Sequence, residues 1–244
     1  GSYWAGAGWT GQPLLVNWPT ETKQAMGLTQ AQVDDPNFVE VIYPVVDGNV
    51  YRLDLATGQQ TKPPINVGWA FKGTGSIDPR GYPLLYSGMG LNENGAAKGV
   101  WRYRIFDLIQ NKEVSGWNGS DPGAPRDWGA FDSSALVNAA TDTLIEPAEN
   151  GLVYTFDPMA KTVSVNPEFT KLNYNTPASS RHGIESSAAA YRNLMFAGDN
   201  DGNIICWDAT TMQVVWVFPT GDDTDATIVL EDTPDGPFIY TGNE

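Results

Sequence analysis

Four aspartates, Asp54, Asp107, Asp157 and Asp208, recur 53, 50 and 51 residues apart, and each closes the same kind of segment. The segments are Gly48-Asn-Val-Tyr-Arg-Leu-Asp54, Gly99-Val-Trp-Arg-Tyr-Arg-Ile-Phe-Asp107, Gly151-Leu-Val-Tyr-Thr-Phe-Asp157 and Gly202-Asn-Ile-Ile-Cys-Trp-Asp208. Each opens on a glycine, runs through aromatic and aliphatic residues and ends on the acid. Short runs of this composition, bounded by turn residues, are strands. A fixed period of about fifty residues belongs to an array of identical supersecondary units rather than to a sandwich, and it is too long for a β-helix.

A second strand precedes each segment: Val39-Glu-Val-Ile-Tyr43, Leu84-Leu-Tyr86, Leu144-Ile145 and Leu194-Met-Phe196. Asp47-Gly48, Asn150-Gly151 and Asp201-Gly202 lie between the two, and such pairs tolerate the positive φ of a tight hairpin. The second hairpin is widened by Asn92-Glu-Asn-Gly-Ala-Ala97. After each aspartate the chain turns again into a strand that ends near Trp69, Trp117, Phe169 or Trp216. A further strand opens each unit, in Thr10–Val16, Thr74–Asp78, Phe131–Val137, Ile184–Ala190 and Thr224–Leu230. Four antiparallel strands per unit, repeated, are the blades of a β-propeller. The expected class is therefore all-β, a single propeller domain of four-stranded antiparallel blades. Its repeats span roughly 10–70, 71–118, 128–172 and 181–220, with an incomplete copy at 221–244. One helix is expected, from Thr20 to about Gln32, as an insertion in the first blade with Thr20 as its N-cap.

About four and a half blades are present, and propellers close with about 4–8. The fifth copy has Thr224–Leu230 and Phe238-Ile-Tyr240 and then reaches Glu244. The chain is expected to form part of a ring of about seven or eight blades, completed by a further segment or a second chain; a closed ring of about five is the alternative.

The net charge is −15, which repels phosphate backbones and anionic lipid, so no nucleic acid is expected as a partner. No apolar run is long enough to span a bilayer as a helix. The single cysteine, Cys206, excludes an intrachain disulfide and sits in an apolar strand as a small hydrophobe.

Gly48-Asn-Val-Tyr-Arg-Leu-Asp-Leu-Ala-Thr-Gly58 resembles the repeat of quinoprotein-type, pyrroloquinoline-quinone-like β-propellers, and Asp208-Ala-Thr-Thr-Met-Gln-Val-Val-Trp216 is the next best match. Gly8-Trp-Thr-Gly-Gln-Pro13 and Asp222-Asp-Thr-Asp-Ala-Thr227 also resemble exported bacterial PQQ-like repeat proteins. The resemblance implies an extracellular or cell-surface location. For alcohol-oxidising members it implies pyrroloquinoline quinone, calcium ligands, a general-base aspartate and a vicinal cysteine pair. Cys206 has no neighbouring cysteine. The expected function is therefore a non-catalytic binding or scaffolding propeller that needs no cofactor. A quinone-dependent oxidoreductase with part of its site outside this chain is the alternative.

Ligands of propellers commonly meet the chain where the opening strands begin. Asp132, Glu185 and Asp225 share one position of three opening strands, with Gly11 and Gly75 aligned to them in the first two. Carboxylates held close favour a bound cation such as calcium or a shared proton; hydrogen bonds to backbone amides of a neighbouring blade are the alternative. Arg181, His182 and Trp128 precede these acids and are expected to add a cation and stacking surfaces at the rim. The rim is expected to recognise a protein, a peptide or a carbohydrate. With one histidine in the chain, a multi-histidine metal site is excluded. Asp199-Asn-Asp-Gly-Asn203 has the start of a calcium loop but is read as a hairpin turn, because Thr210 stands where that loop needs an acid.

Overall fold

The computed structural model describes residues 11–158, 170–174 and 181–244. The opening segment before Gly11, and Phe169, expected to close the third repeat, lie outside the described residues. The chain is all-β; the described residues build four four-stranded antiparallel sheets and two hairpins.

The first sheet holds β1 (Leu14–Val16), β2 (Glu40–Pro44), β3 (Asn49–Asp54) and β4 (Ile65–Asn66) in sequential order. The second holds β5 (Ser76–Ile77) and β6 (Leu84–Gly88); after a side hairpin, β7 (Glu93–Asn94) and β8 (Ala97–Lys98), it resumes with β9 (Arg102–Asp107) and β10 (Lys112–Asn118). The third holds β11 (Leu136–Asn138), β12 (Thr143–Pro147), β13 (Leu152–Phe156) and β14 (Thr170–Asn173). The fourth holds β15 (Ala189–Tyr191), β16 (Leu194–Asp199), β17 (Asn203–Asp208) and β18 (Gln213–Pro219), and the hairpin of β19 (Val229–Thr233) and β20 (Gly236–Tyr240) follows.

The repeated residues explain the repeated sheets. Gly48, Gly151 and Gly202 take φ of 82°, 85° and 81° in the hairpins before β3, β13 and β17, a conformation that side chains resist. The closing aspartates stop their strands by capping the next turn. Asp54 Oδ1 accepts from the Ala56 amide at 2.8 Å, Asp107 Oδ1 from Ile109 at 2.8 Å and Asp208 Oδ1 from Thr210 at 2.7 Å.

The expected single helix is two short ones, α1 (Thr20–Ala25) and α2 (Gln30–Asp34). Gly27 at φ 65° breaks them apart, and Pro19 rather than Thr20 is the N-cap of α1. Thr29 caps α2 with a reciprocal Thr29–Gln32 capping box. No helix among the described residues is long and apolar enough to cross a membrane.

The three largest apolar clusters each join two consecutive sheets, so the sheets stack face to face in chain order. Ile42 and Val50 of the first pack with Leu85 and Phe106 of the second. Tyr103 and Trp117 stack at 4.4 Å in the second, and Trp117 meets Phe156 of the third at 5.3 Å. Val153 meets Met195, Ile205 and Trp207 between the third and fourth, and Cys206 lies fully buried with Phe196, Ile228 and Ile239 beyond them. Val215, Phe218, Val229, Phe238 and Tyr240 of β18, β19 and β20 are exposed.

A repeated pair of backbone bonds stitches the stack. Phe71, Phe131, Ile184 and Thr224 donate to the carbonyls of Val45, Met89, Ala148 and Asp199 in the preceding sheet. Gly90, Glu149 and Asn200 donate to Ala70, Ala130 and Gly183. This seam fixes which residues of successive repeats are equivalent, and it positions the site.

Candidate functional site

Four residues lead into the first strand of each of the last four units. A buried residue at the seam comes first: Phe71, Phe131, Ile184 or Thr224, each 1% exposed or less. The next residue is charged: Lys72, Asp132, Glu185 and Asp225. Two positions further on stands a hydroxyl: Thr74, Ser134, Ser187 and Thr227. All eight line one cavity of about 390 Å³, with Gln12 and Gly73 completing the wall. Hydroxyls also join neighbouring sheets here, since Thr74 Oγ1 accepts from the Gln12 amide at 2.7 Å and Ser187 Oγ from the Ser134 amide at 2.9 Å.

The structure therefore brings Asp132, Glu185 and Asp225 together. It corrects the alignment of Gly75 with them: the seam places Lys72 at that position, three residues earlier. Lys72 forms an ion pair with Asp132 Oδ2. Glu149 also belongs to the site. It stands at the β12–β13 turn, 2% exposed, between Asp132 and Glu185. Asn200 occupies the corresponding place in the fourth sheet and donates to Glu185 Oε1 at 3.0 Å. Gly90 occupies it in the second sheet.

The other expected rim residues stand apart from the cavity wall. His182 is 1% exposed; it stacks on Tyr174 at 4.4 Å, and its Nδ1 lies 3.2 Å from Asp201 Oδ2. Its expected role as a rim stacking surface is corrected by that burial. Arg181 is exposed and donates to Asp223 Oδ2 at 2.7 Å. Trp128 is exposed, packs on Trp101 at 4.8 Å and lies beneath the Arg126 guanidinium.

Burial and crowding raise the proton affinity of Asp132, Glu149 and Asp225. Burial, then the Glu185 charge, lifts Asp132 to about 6 against the pull of Lys72. Burial, Glu185 and Asp223 lift Asp225 to about 6. Glu149 is raised well above the carboxylate range by burial and by Asp132 and Glu185. Burial alone would lower Lys72, but Asp132, Glu149 and Glu185 reverse this and keep it charged.

Gly90 leaves room for the Lys72–Asp132 pair. A Cβ there would lie 2.4 Å from Lys72 Cβ and 2.5 Å from Asp132 Oδ1. Gly90→Ala is expected to separate the pair and cost about 1–3 kcal/mol in urea unfolding. Wild-type stability in that variant would mean that the pair has slack.

No known family model matches the chain, and no curated protein matches it. The chemistry of the cavity is therefore the basis for function.

Proposed function

We propose that the stacked sheets are successive blades of a β-propeller of the PQQ-like repeat type, and that the chain is a non-catalytic module binding a small polyhydroxylated ligand, an amino sugar above all. The observation that supports this is the double ring in one cavity: Lys72, Asp132, Glu185 and Asp225, then Thr74, Ser134, Ser187 and Thr227. Carboxylates accept from vicinal hydroxyls and pair with a sugar ammonium, a lysine donates to ring and hydroxyl oxygens, and Ser or Thr hydroxyls do both. Three acids against one lysine favour a cationic sugar over an anionic one. The volume lies within the range of small-molecule sites. A planar quinone fits this wall poorly. Such a ring system is held between apolar or aromatic faces, and among the described residues lining the cavity none is aromatic.

Titration calorimetry with glucosamine, glucose and a neutral polyol, run in a chelator, tests the reading. Saturable binding that is strongest for the amino sugar is expected, weakened about 10-fold or more by Asp225→Asn or Ser134→Val through the loss of a charge-assisted or neutral hydrogen bond. Asp225 is exposed, so its substitution leaves the core intact. Absence of binding by every sugar, or binding indifferent to both substitutions, would remove this reading.

A further inference from the structure

The acids of the cavity differ in depth. Asp225 is exposed, whereas Asp132 and Glu185 of the wall form a tight group with the buried Glu149. One oxygen from each of the three lies within 4.8 Å of the others. Two oxygens bound to one calcium ion at 2.3–2.6 Å stand no further apart than about 4.6–5.2 Å, so the three fit around a single ion.

The hydrogen bonds leave oxygens over. Asp132 Oδ2 is paired with Lys72, but Asp132 Oδ1 is buried with no partner outside the three acids. Glu149 Oε2 has Arg126 Nη1 at 3.8 Å, but Glu149 Oε1 is likewise buried with no partner outside the three acids. The Glu149 side chain is 2% exposed and that of Asp132 9%. Buried carboxylate oxygens without donors are costly, and carboxylates this close repel one another. The seam shows how the same position is handled elsewhere. In the fourth sheet Asn200 brings an amide to Glu185, and in the second Gly90 brings nothing; only the third sheet places a third acid there.

We propose that Asp132, Glu149 and Glu185 form a divalent-cation site that takes calcium, at the wall of the cavity. Oxygen-only ligands suit a hard cation, and three protein oxygens leave three to five positions for water or for ligand hydroxyls. Lys72 pairs with Asp132 Oδ2, and its charge limits what the ion must balance. An ion here would present open coordination positions to the cavity, where vicinal hydroxyls of a bound sugar could complete the shell. The inference rests on the reading of the cavity as a sugar site and specifies its inorganic component.

Calcium alone is the first probe. The chain, freed of metal with a chelator and dialysed, is titrated with calcium chloride by calorimetry, and its thermal unfolding is followed in parallel. One saturable site is expected with Kd at or below about 1 mM, and the folded-to-unfolded ratio is expected to rise about 100-fold at calcium 100 times Kd. Glu149→Asn copies the fourth sheet, and it is expected to fold and to lose the calcium-dependent rise. Glu185→Gln, at a partly exposed residue, is expected to lose it as well and serves if the first variant misfolds. Asp225→Asn is expected to keep it. No calcium-dependent heat or stabilisation, or a rise that survives both Glu149→Asn and Glu185→Gln, overturns the proposal. Sugar binding measured in chelator separates the two readings: if it persists without any calcium effect, only the cation site fails.

Discussion

Glu40→Ala is expected to cost about 3–5 kcal/mol of stability, enough to leave a chain of this kind largely unfolded under mild denaturant. Glu40 and Arg52 are both 0% exposed and form a two-pronged pair, with Arg52 Nε on Oε1 and Nη2 on Oε2, each at 3.0 Å. Trp18 Nε1 donates to Oε2 at 2.7 Å, and Thr61 donates to Oε1. The guanidinium also reaches out of the first sheet, donating to the Leu108 carbonyl at 2.6 Å and to Asn111 Oδ1 at 3.0 Å in the β9–β10 turn. Removing Glu40 strands a permanent cation and an indole donor in a fully buried space. Removing the pair together is different: Glu40→Leu with Arg52→Met leaves no buried charge, and it is expected to cost less than Glu40→Ala alone. Urea unfolding of the single and double variants measures both. A Glu40→Ala variant within about 0.5 kcal/mol of wild type would show that the carboxylate is not what holds Arg52.

The residues that were legible in sequence are those whose local chemistry is enough to place them. A glycine at positive φ and an aspartate capping the next turn do their work within a few residues, so the hairpins and the fifty-residue period can be read without knowing the packing. The acids at Asp132, Glu185 and Asp225 are legible for the same reason, because each sits at a fixed distance before a strand. Lys72 was hidden by register. Thr74-Gly75 looks like the start of a strand, and only the seam bonds of Phe71 and Gly90 show that the equivalent position falls three residues earlier. A better signal was present: a bulky apolar residue, a charge and then a hydroxyl two places on, in Phe71-Lys72-x-Thr74, Phe131-Asp132-x-Ser134 and Ile184-Glu185-x-Ser187. Glu149 looked like an ordinary turn residue before Asn150-Gly151, and its burial comes from the neighbouring sheet. His182 likewise depends on contacts distant in sequence, with Tyr174 on one side and Gly151 near its ring edge. The two helices differ from the single one expected because Gly27 outweighs the continuous polar-apolar pattern around it.

The same burial that shapes the cavity should give the chain an unusual pH dependence. In the metal-free protein, stability is expected to fall as pH rises from about 5 to about 8. The sign follows from the direction of the shifts. Glu146 is held well above its ordinary value by burial, against hydrogen bonds from Ser133 and Tyr103 and with the Asp132 charge adding to the rise. Asp132 and Asp225 are lifted to about 6. The unfolded chain releases these protons near the ordinary values of 3.8 for Asp and 4.5 for Glu. Between those values and the folded ones the native state binds more protons than the unfolded state, so each rise in pH favours unfolding, by about 1.4 kcal/mol per pH unit for each buried proton of difference, and by less for the solvent-screened Asp225. Asp121 and Asp208 are lowered and work in the opposite sense, but only below their ordinary values, so between pH 5 and 8 they do not offset the loss. Glu146 offers the cleanest variant. It is 0% exposed, with Ser133 Oγ donating to Oε1 at 2.8 Å. Glu146→Gln keeps the acceptor for Ser133 and has nothing to ionise. It is expected to recover stability near pH 8, to change little near pH 5, and so to flatten the profile. Thermal unfolding of both proteins in chelator across that range checks it. A wild-type profile that rises toward alkaline pH, or a Glu146→Gln variant with an unchanged slope, would mean that Glu146 is ionised in the folded chain and that a cation not supplied by its visible neighbours stabilises it.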